Sequence, residues 1–240
     1  MSRNKTKRKR WLELKQEDPV VMIATPAQDT VLTCYARCLV GMVAHSFAQG
    51  MTLGYQIAQY SILPFSRNEL VRGALERKAT HVLFIDSDME FPTDTALRLI
   101  RHHKSIMAAN CMGRRRPYSL TARTAAGEEV VTGPDTTGIE KVHRVGTGVM
   151  LVDLEVFKAL PEPWFDYRWK QNEDGSARPV GEDFVFVDAA REAGFEVFVD
   201  HDLSKEVNHV GTFQYTPLIR AGFEEVEQEM QAAEKEHAHG

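Results

Sequence analysis

Thr80-His81-Val82-Leu83-Phe84-Ile85-Asp86-Ser87-Asp88-Met89-Glu90-Phe91-Pro92 is the stretch on which the reading of this chain turns. Val82 to Ile85 is a short unbroken apolar run, rich in β-branched and aromatic residues. That pattern predicts a strand buried on both faces, as in a parallel sheet under helices. The run stops at Asp86-Ser87-Asp88, which places two carboxylates at the carboxyl end of the strand, the edge where open α/β sheets bind ligands. Two carboxylates one residue apart can share a hard divalent cation whose remaining ligands are phosphate oxygens. The same two residues can also do no more than cap the turn into a helix after Pro92, so the decision rests on the rest of the chain.

Working outward, Pro19-Val20-Val21-Met22-Ile23-Ala24 reads as a second buried strand, ended by Thr25-Pro26. From Thr30 to about Gln49 the apolar positions Leu32, Tyr35, Leu39, Met42, Val43 and Phe47 recur at three and four, which predicts an amphipathic helix stopped by Gly50. Thr52 to Gln59 reads as a strand. Ser66-Arg67-Asn68-Glu69 has capping-box spacing and predicts a helix beginning at Ser66. The order strand, helix, strand, helix, strand predicts a mainly parallel sheet. Beyond Pro92 the alternation loosens. A helix through Leu97, Leu99 and Ile100 leads to a strand at 105–109, and Arg114-Arg115-Arg116-Pro117 reads as loop. Residues 119–131 suggest a polar hairpin. Gly148 to Val152 is again an apolar strand, with a helix over 154–160 behind it. Residues 162–179, including Trp164, Trp169 and Asn172-Glu173-Asp174-Gly175, read as a mobile loop. Gly181-Glu182-Asp183 opens a helix that Gly194 ends, and Phe195 to Val199 is a last strand.

The 240 residues are 43% hydrophobic and 26% charged, enough for one large core, and the net charge of −5 argues against a body that binds polyanions over its whole surface. The charge is uneven. Arg3, Lys5, Lys7, Arg8, Lys9 and Arg10 crowd the start, and six glutamates crowd 224–236. The basic segment can solvate the chain or touch nucleic acid or an anionic membrane. Trp11 to Glu17 lacks the apolar run of a secretion signal, and no stretch suggests a transmembrane segment. Cys34, Cys38 and Cys111 have no metal-site spacing and fit a reducing cytoplasm.

Six landmarks in order, Ile23-Ala24-Thr25-Pro26, Ser66-Arg67-Asn68, Phe84 to Asp88, Gly146 to Leu151, Gly181-Glu182-Asp183 and Asn208-His209-Val210-Gly211, span roughly 20–213. In this the chain resembles GT-A type glycosyltransferases, close to the family-two-like enzymes of bacteria and phages. The resemblance implies an α/β fold with a Rossmann-like nucleotide-binding half fused to a mixed-sheet acceptor half. It implies one such domain over 19–215, between a basic tail (1–18) and an acidic tail or helix (216–240). A nucleotide-sugar donor, most simply uridine-linked, and Mn2+ or Mg2+ are implied with it. Asp88 would bind the metal, Asp86 the ribose or the metal through water, and His209 would complete the metal site. An imidazole ligand favours manganese over magnesium.

On the same resemblance Thr25, Pro26, Arg67, Asn68, Asp86 and Ser87 would line the nucleotide pocket, and Gly146, Thr147 and Gly148 the floor of the sugar site. Asp183, with Glu182, would serve as the acceptor's base in an inverting displacement or position sugar hydroxyls in a retaining one. The His209 arrangement leans toward retention. Blander readings exist for each: a packed histidine between Val207 and Val210, a glycine bulge, and carboxylates favoured at any helix N-terminus. Hydroxymethylated DNA bases and glycans are the acceptor classes to test. A nucleotidyltransferase would need a glycine-rich basic loop after the first strand, and Thr25-Pro26-Ala27-Gln28-Asp29 contains no Gly, Lys or Arg. A phosphohydrolase with an aspartyl nucleophile fits Met89-Glu90-Phe91 poorly. A non-catalytic nucleotide-sugar-binding module is the remaining alternative.

Overall fold

The computed structural model describes residues 19–114, 118–171 and 174–211. The two tails, the segment Arg115-Arg116-Pro117 and the pair Asn172-Glu173 lie outside the described residues. The chain divides into compact units at 1–210 and 211–240; among the described residues, every strand and helix lies in the first.

The frame of that unit is a seven-stranded sheet. In chain order the strands are β1 (Val20–Ala27), β2 (Thr52–Gln59), β3 (His81–Ile85), β5 (Ile106–Ala108), β6 (Ile139–Val142), β7 (Val149–Asp153) and β10 (Val197–Asp200), laid side by side as β2-β1-β3-β7-β5-β10-β6. Val82 to Ile85 are fully buried in the middle of it, as the opening stretch predicts. The first half keeps the expected parallel order, β1 pairing β2 and β3 in parallel. The second half is mixed, as the resemblance implies, with β10 parallel to β5. β7 runs antiparallel to both β3 and β5, and β6 antiparallel to β10. A strand buried on both faces carries the same apolar run whichever way it points, so the sequence pattern could not fix its direction.

Helices α1 (Thr33–Ala48) and α3 (Thr95–Arg101) cover one face of the sheet. Helices α2 (Leu63–Glu76), α4 (Leu154–Ala159) and α5 (Glu182–Glu192) cover the other; α6 (His201–Ser204) is a single turn after β10. Aromatic rings fill the second layer: Phe186 lies 4.9 Å from Phe157 and 4.7 Å from Phe165, and Phe84 meets Phe165 edge-on at 5.4 Å. Emptying such a position, Phe157→Ala for example, costs about 3–5 kcal/mol.

Four local expectations are corrected. α1 buries Tyr35, Cys38, Met42 and Ser46, while Val43 and Phe47 of the expected stripe face outward. The helix is turned so that Gly41 packs against Thr93, where a Cβ would come within 2.8 Å of the threonine methyl. α2 begins at Leu63, with Pro64 in its first turn, and not at Ser66, whose hydroxyl donates back to the Ile62 carbonyl. Pro at the first helical positions costs no hydrogen bond, because those N–H groups are free anyway. The stretch read as a mobile loop carries a hairpin, β8 (Arg168–Gln171) with β9 (Ala177–Val180). Residues 119–131 form only isolated bridges, Met112 with Leu120 and Arg123 with Glu129 and Arg144, rather than a regular hairpin.

A last, two-residue strand, β11 (Asn208–His209), pairs antiparallel with β4 (Met89–Glu90) directly after the Asp86-Ser87-Asp88 turn. This ribbon positions the candidate site.

Candidate active site at the carboxyl end of the sheet

Asp86 leaves β3 with its N–H bonded to the Gly148 carbonyl at 3.0 Å, and the chain turns so that Met89 N–H donates to the Asp86 carbonyl at 3.1 Å. The turn sets the two carboxylates in different surroundings. Asp86 points inward to Arg67, its Oδ1 3.0 Å from Nη2. Asp88 points toward the ribbon, with its Oδ2 3.4 Å from His209 Nε2 and 2.9 Å from Arg114 Nη2. Pairing of β11 with β4 and a bond from Val210 N–H to the Asp88 carbonyl (2.9 Å) bring His209 across more than a hundred residues of sequence. His209 Nδ1 bonds to the Met112 carbonyl at 2.9 Å. That bond orients the ring, as an outer partner does for a metal-binding histidine, and leaves Nε2 facing Asp88.

Electrostatics separate the two carboxylates further. Burial pushes the Asp86 carboxyl above its ordinary range in spite of Arg67. Burial acts on Asp88 in the same direction but is outweighed by the His209 hydrogen bond and charge and by Arg114, so Asp88 lies below the usual range. The Asp88 hydrogen bond raises the His209 imidazole in turn.

Arg67 is 2% exposed and joins the two halves of the site. It donates to Asp86 through Nη2 and to Glu182 Oε1 through Nε at 3.3 Å, its guanidinium lies over the Phe84 ring, and its Nη1 is buried without a partner. An unsatisfied buried donor of a cation is costly, and a ligand oxygen would relieve it. Beside it, Asp183 lies in the first turn of α5. Its Oδ1 accepts from Phe184 N–H at 2.7 Å, and its Oδ2 lies 3.4 Å from where a Cβ on Gly146 would stand. A Cβ on Gly181 would come within 2.7 Å of Oδ1, so Gly181 gives the carboxyl its room. Burial, then the charge of Glu182, pushes the Asp183 carboxyl up to about 6.

Of the other expected site residues, some border these carboxylates and one serves the fold. Thr25 and Pro26 end β1 beyond its ladder with β3, which stops at Ala24 opposite Phe84; they therefore border the Asp86 turn. The Thr25 hydroxyl is itself engaged with the Tyr35 hydroxyl. Ser87 accepts from Leu32 N–H through its carbonyl, tying the end of the β1 loop to the carboxylate turn. Gly146, Thr147 and Gly148 lie between Asp183 and Asp86, with Thr147 buried. Asn68 is used by the protein itself. Its amide donates to the Pro64 and Phe165 carbonyls and accepts from the N–H groups of Trp164 and Phe165, all at 2.8–3.1 Å. All four of its hydrogen-bonding positions are filled, so it clamps the Trp164–Phe165 segment to α2. Arg114 and the Met112 carbonyl gave no signal in the sequence, where 114–117 read only as a basic loop. A hollow of about 330 Å³ lies between the end of β2 and α2, lined by Gln56, Tyr60, Glu69 and Leu70, to one side of the carboxylates.

Whether these residues suit a divalent cation can be judged from their donor atoms. Two ligand atoms each about 2.1 Å from one cation stand about 3 Å apart when at right angles. The 3.4 Å between Asp88 Oδ2 and His209 Nε2 is of that size. Asp86, the third expected ligand, is turned to Arg67, and among the described residues no three His, Cys, Asp or Glu side chains converge on one point. The pair fits a cation whose other ligands come from a bound phosphate or water, with Asp86 outside the set in this state.

The fold is that of the GT-A glycosyltransferases, with a central sheet of parallel and antiparallel strands. A Drosophila β-1,4-galactosyltransferase 7 variant, in complex with manganese, UDP-Gal and xylobiose, superposes with a TM-score of 0.50 at 15% identity, over 81% of this chain and 71% of that one. Weaker likenesses include a glycosyltransferase involved in glycosylating the major capsid of PBCV-1 (TM-score 0.33, 16% identity, 61% and 70% covered). UDP-glucose pyrophosphorylase complexed with UDP-glucose is another (TM-score 0.43, 9% identity, 77% and 90% covered). No protein-family model matches the sequence, and no curated protein matches it either.

Proposed function

We propose that the protein is a metal-dependent glycosyltransferase that moves a sugar from a nucleotide diphosphate, uridine-linked in the simplest case, to an acceptor hydroxyl. The observation that carries this reading is the meeting of Asp88 and His209 at the carboxyl end of β3, on one side of a buried arginine whose other side holds Glu182 beside Asp183. Asp88 and His209 would hold Mn2+, or Mg2+ less readily, and the cation when bound offsets the charge growing on the departing diphosphate. Arg67 and Asp86 would face the nucleotide side, with Thr25, Pro26 and Ser87 bordering it. Gly146 and Gly148 would let the sugar come close to backbone.

Asp183 supplies the acceptor chemistry. A carboxyl with its pKa near 6 is ionised at neutral pH yet basic enough to take a hydroxyl proton, the compromise general-base catalysis asks for. In a retaining displacement, toward which the His209 arrangement leans, Asp183 would instead position sugar hydroxyls, and the product's anomeric configuration decides between the two. The acceptor is proposed only as a class, a hydroxymethylated DNA base or a glycan.

The test is donor hydrolysis. The wild-type protein with Mn2+ and a panel of nucleotide sugars is expected to release nucleoside diphosphate slowly from at least one of them, and to stop when chelator is added. A non-catalytic binding module would bind a donor without releasing anything.

A further inference from the structure

On the proposal that Asp88 and His209 hold a cation beneath a donor diphosphate, Arg114 acquires a role that the carboxylate pattern does not include. Its Nη2 lies 2.9 Å from Asp88 Oδ2, the same oxygen that faces His209. Its Nη1 donates to the Val210 carbonyl at 3.2 Å, so the guanidinium bridges the carboxylate turn and the strand that carries His209. A cation bound between Asp88 Oδ2 and His209 Nε2 would press against that guanidinium, because both positive charges would share one carboxylate oxygen. The Arg114 side chain is 48% exposed, free enough to move. A guanidinium displaced by a few ångströms stays beside the cation, where a diphosphate would extend, and it is suited to phosphate oxygens by its charge and its fork of donors.

We infer that Arg114 and the divalent cation compete for Asp88, and that the guanidinium released when the cation binds becomes a ligand of the donor's diphosphate. The two steps have opposite signatures. Without nucleotide, Arg114 weakens cation binding; with nucleotide, it strengthens the ternary complex. A residue that merely packed the turn would change both in the same direction.

The experiment compares wild-type protein, Arg114→Ala and Arg114→Lys by Mn2+ binding, read from the electron paramagnetic resonance of free Mn2+, with and without UDP. Without UDP, Arg114→Ala is expected to bind Mn2+ about two- to fivefold more tightly than wild type, the size a partly exposed ion pair carries. With saturating Mn2+, its UDP affinity is expected to fall about tenfold, as for a lost charge-assisted hydrogen bond. Arg114→Lys should fall between the two in both measurements. Thermal unfolding checks that the variants are folded, and a variant that fails to fold leaves Arg114→Lys to give the comparison. Equal or weaker Mn2+ binding by Arg114→Ala without UDP overturns the competition. Unchanged UDP affinity overturns the diphosphate role. If wild type and both variants fail to bind Mn2+ even with UDP, the cation site itself is wrong and both readings fall together, an outcome distinct from a wild type that binds Mn2+ and is indifferent to Arg114.

Discussion

Arg67 is the residue on which the charge balance of the site depends. One buried guanidinium faces Asp86, Glu182 and Asp183, so negative charge exceeds positive in its immediate surroundings. The excess accounts for part of the rise at Asp183. Because the folded carboxyl holds its proton up to about 6, against an ordinary 3.8, the folded state binds more protons than the unfolded one in between. Stability that this group confers is therefore present below pH 4 and lost as pH rises through 6. Asp183→Asn removes the loss. Relative to wild type, the variant should be more stable at pH 8 than at pH 5, by about 1.4 kcal/mol, measured by urea unfolding at both pH values. Transfer should respond in the opposite sense. Wild-type turnover should rise with pH to a plateau, half-maximal near 6, and Asp183→Asn should lose about a hundred- to ten-thousandfold with no such inflection. Asp88→Asn is expected to keep the fold and lower transfer at least about a thousandfold, read as initial rate at saturating donor.

At the scale of elements, the ribbon of β4 and β11 and the clamp on α2 do the positioning. Val210 N–H holds the Asp88 carbonyl, and His209, already extended, tolerates a following proline. Val210→Pro should therefore leave the sheet intact but loosen the ribbon, weakening Mn2+ binding in the presence of UDP about tenfold. Titration calorimetry measures it, and unchanged affinity would show that β11 does not hold His209 in place. Asn68→Ala should cost about 2–4 kcal/mol in urea unfolding, because the Phe165 carbonyl and the Trp164 and Phe165 N–H groups lose a partner together. The elements also mark how far the sequence could be read. β3, its buried face and the abrupt stop at Asp86 were legible because a run of apolar residues and its end are local signals. The ends of β7 and α4 were legible for the same reason. The direction of β7 and the ribbon of β4 and β11 were not, since both depend on pairings set by distant chain. Arg114 meeting Asp88 was hidden likewise, and so was the use of Asn68 as a clamp, which no spacing distinguishes from a nucleotide contact. The capping-box spacing at Ser66 was a true motif overridden by Pro64, which opens the helix earlier.

For the whole molecule, the parallel strands β2, β1 and β3 lead to the Asp86 turn and the mixed strands beyond β7 lie past Gly146 to Gly148, so the two parts of the candidate site meet at one edge of the sheet. No helix among the described residues is long and apolar enough to cross a membrane. The basic segment at the start of the chain lies outside the described residues, and its role is open to a direct test. If DNA is the acceptor, deleting residues 1–10, with their six Arg and Lys side chains, should weaken DNA binding and flatten its dependence on salt. Unchanged salt dependence on every acceptor would leave the segment as a solvated extension. The central claim concerns which bond of the donor breaks. A glycosyltransferase cleaves between the sugar carbon and the diphosphate oxygen, whereas a nucleotidyltransferase on this fold cleaves or forms a bond within the diphosphate. Phosphorus NMR of the protein incubated with Mn2+, pyrophosphate and a nucleotide sugar separates them in one spectrum. Resonances of a nucleoside diphosphate, absent for Asp88→Asn, are the predicted result; a sugar phosphate together with a nucleoside mono- or triphosphate would contradict the account.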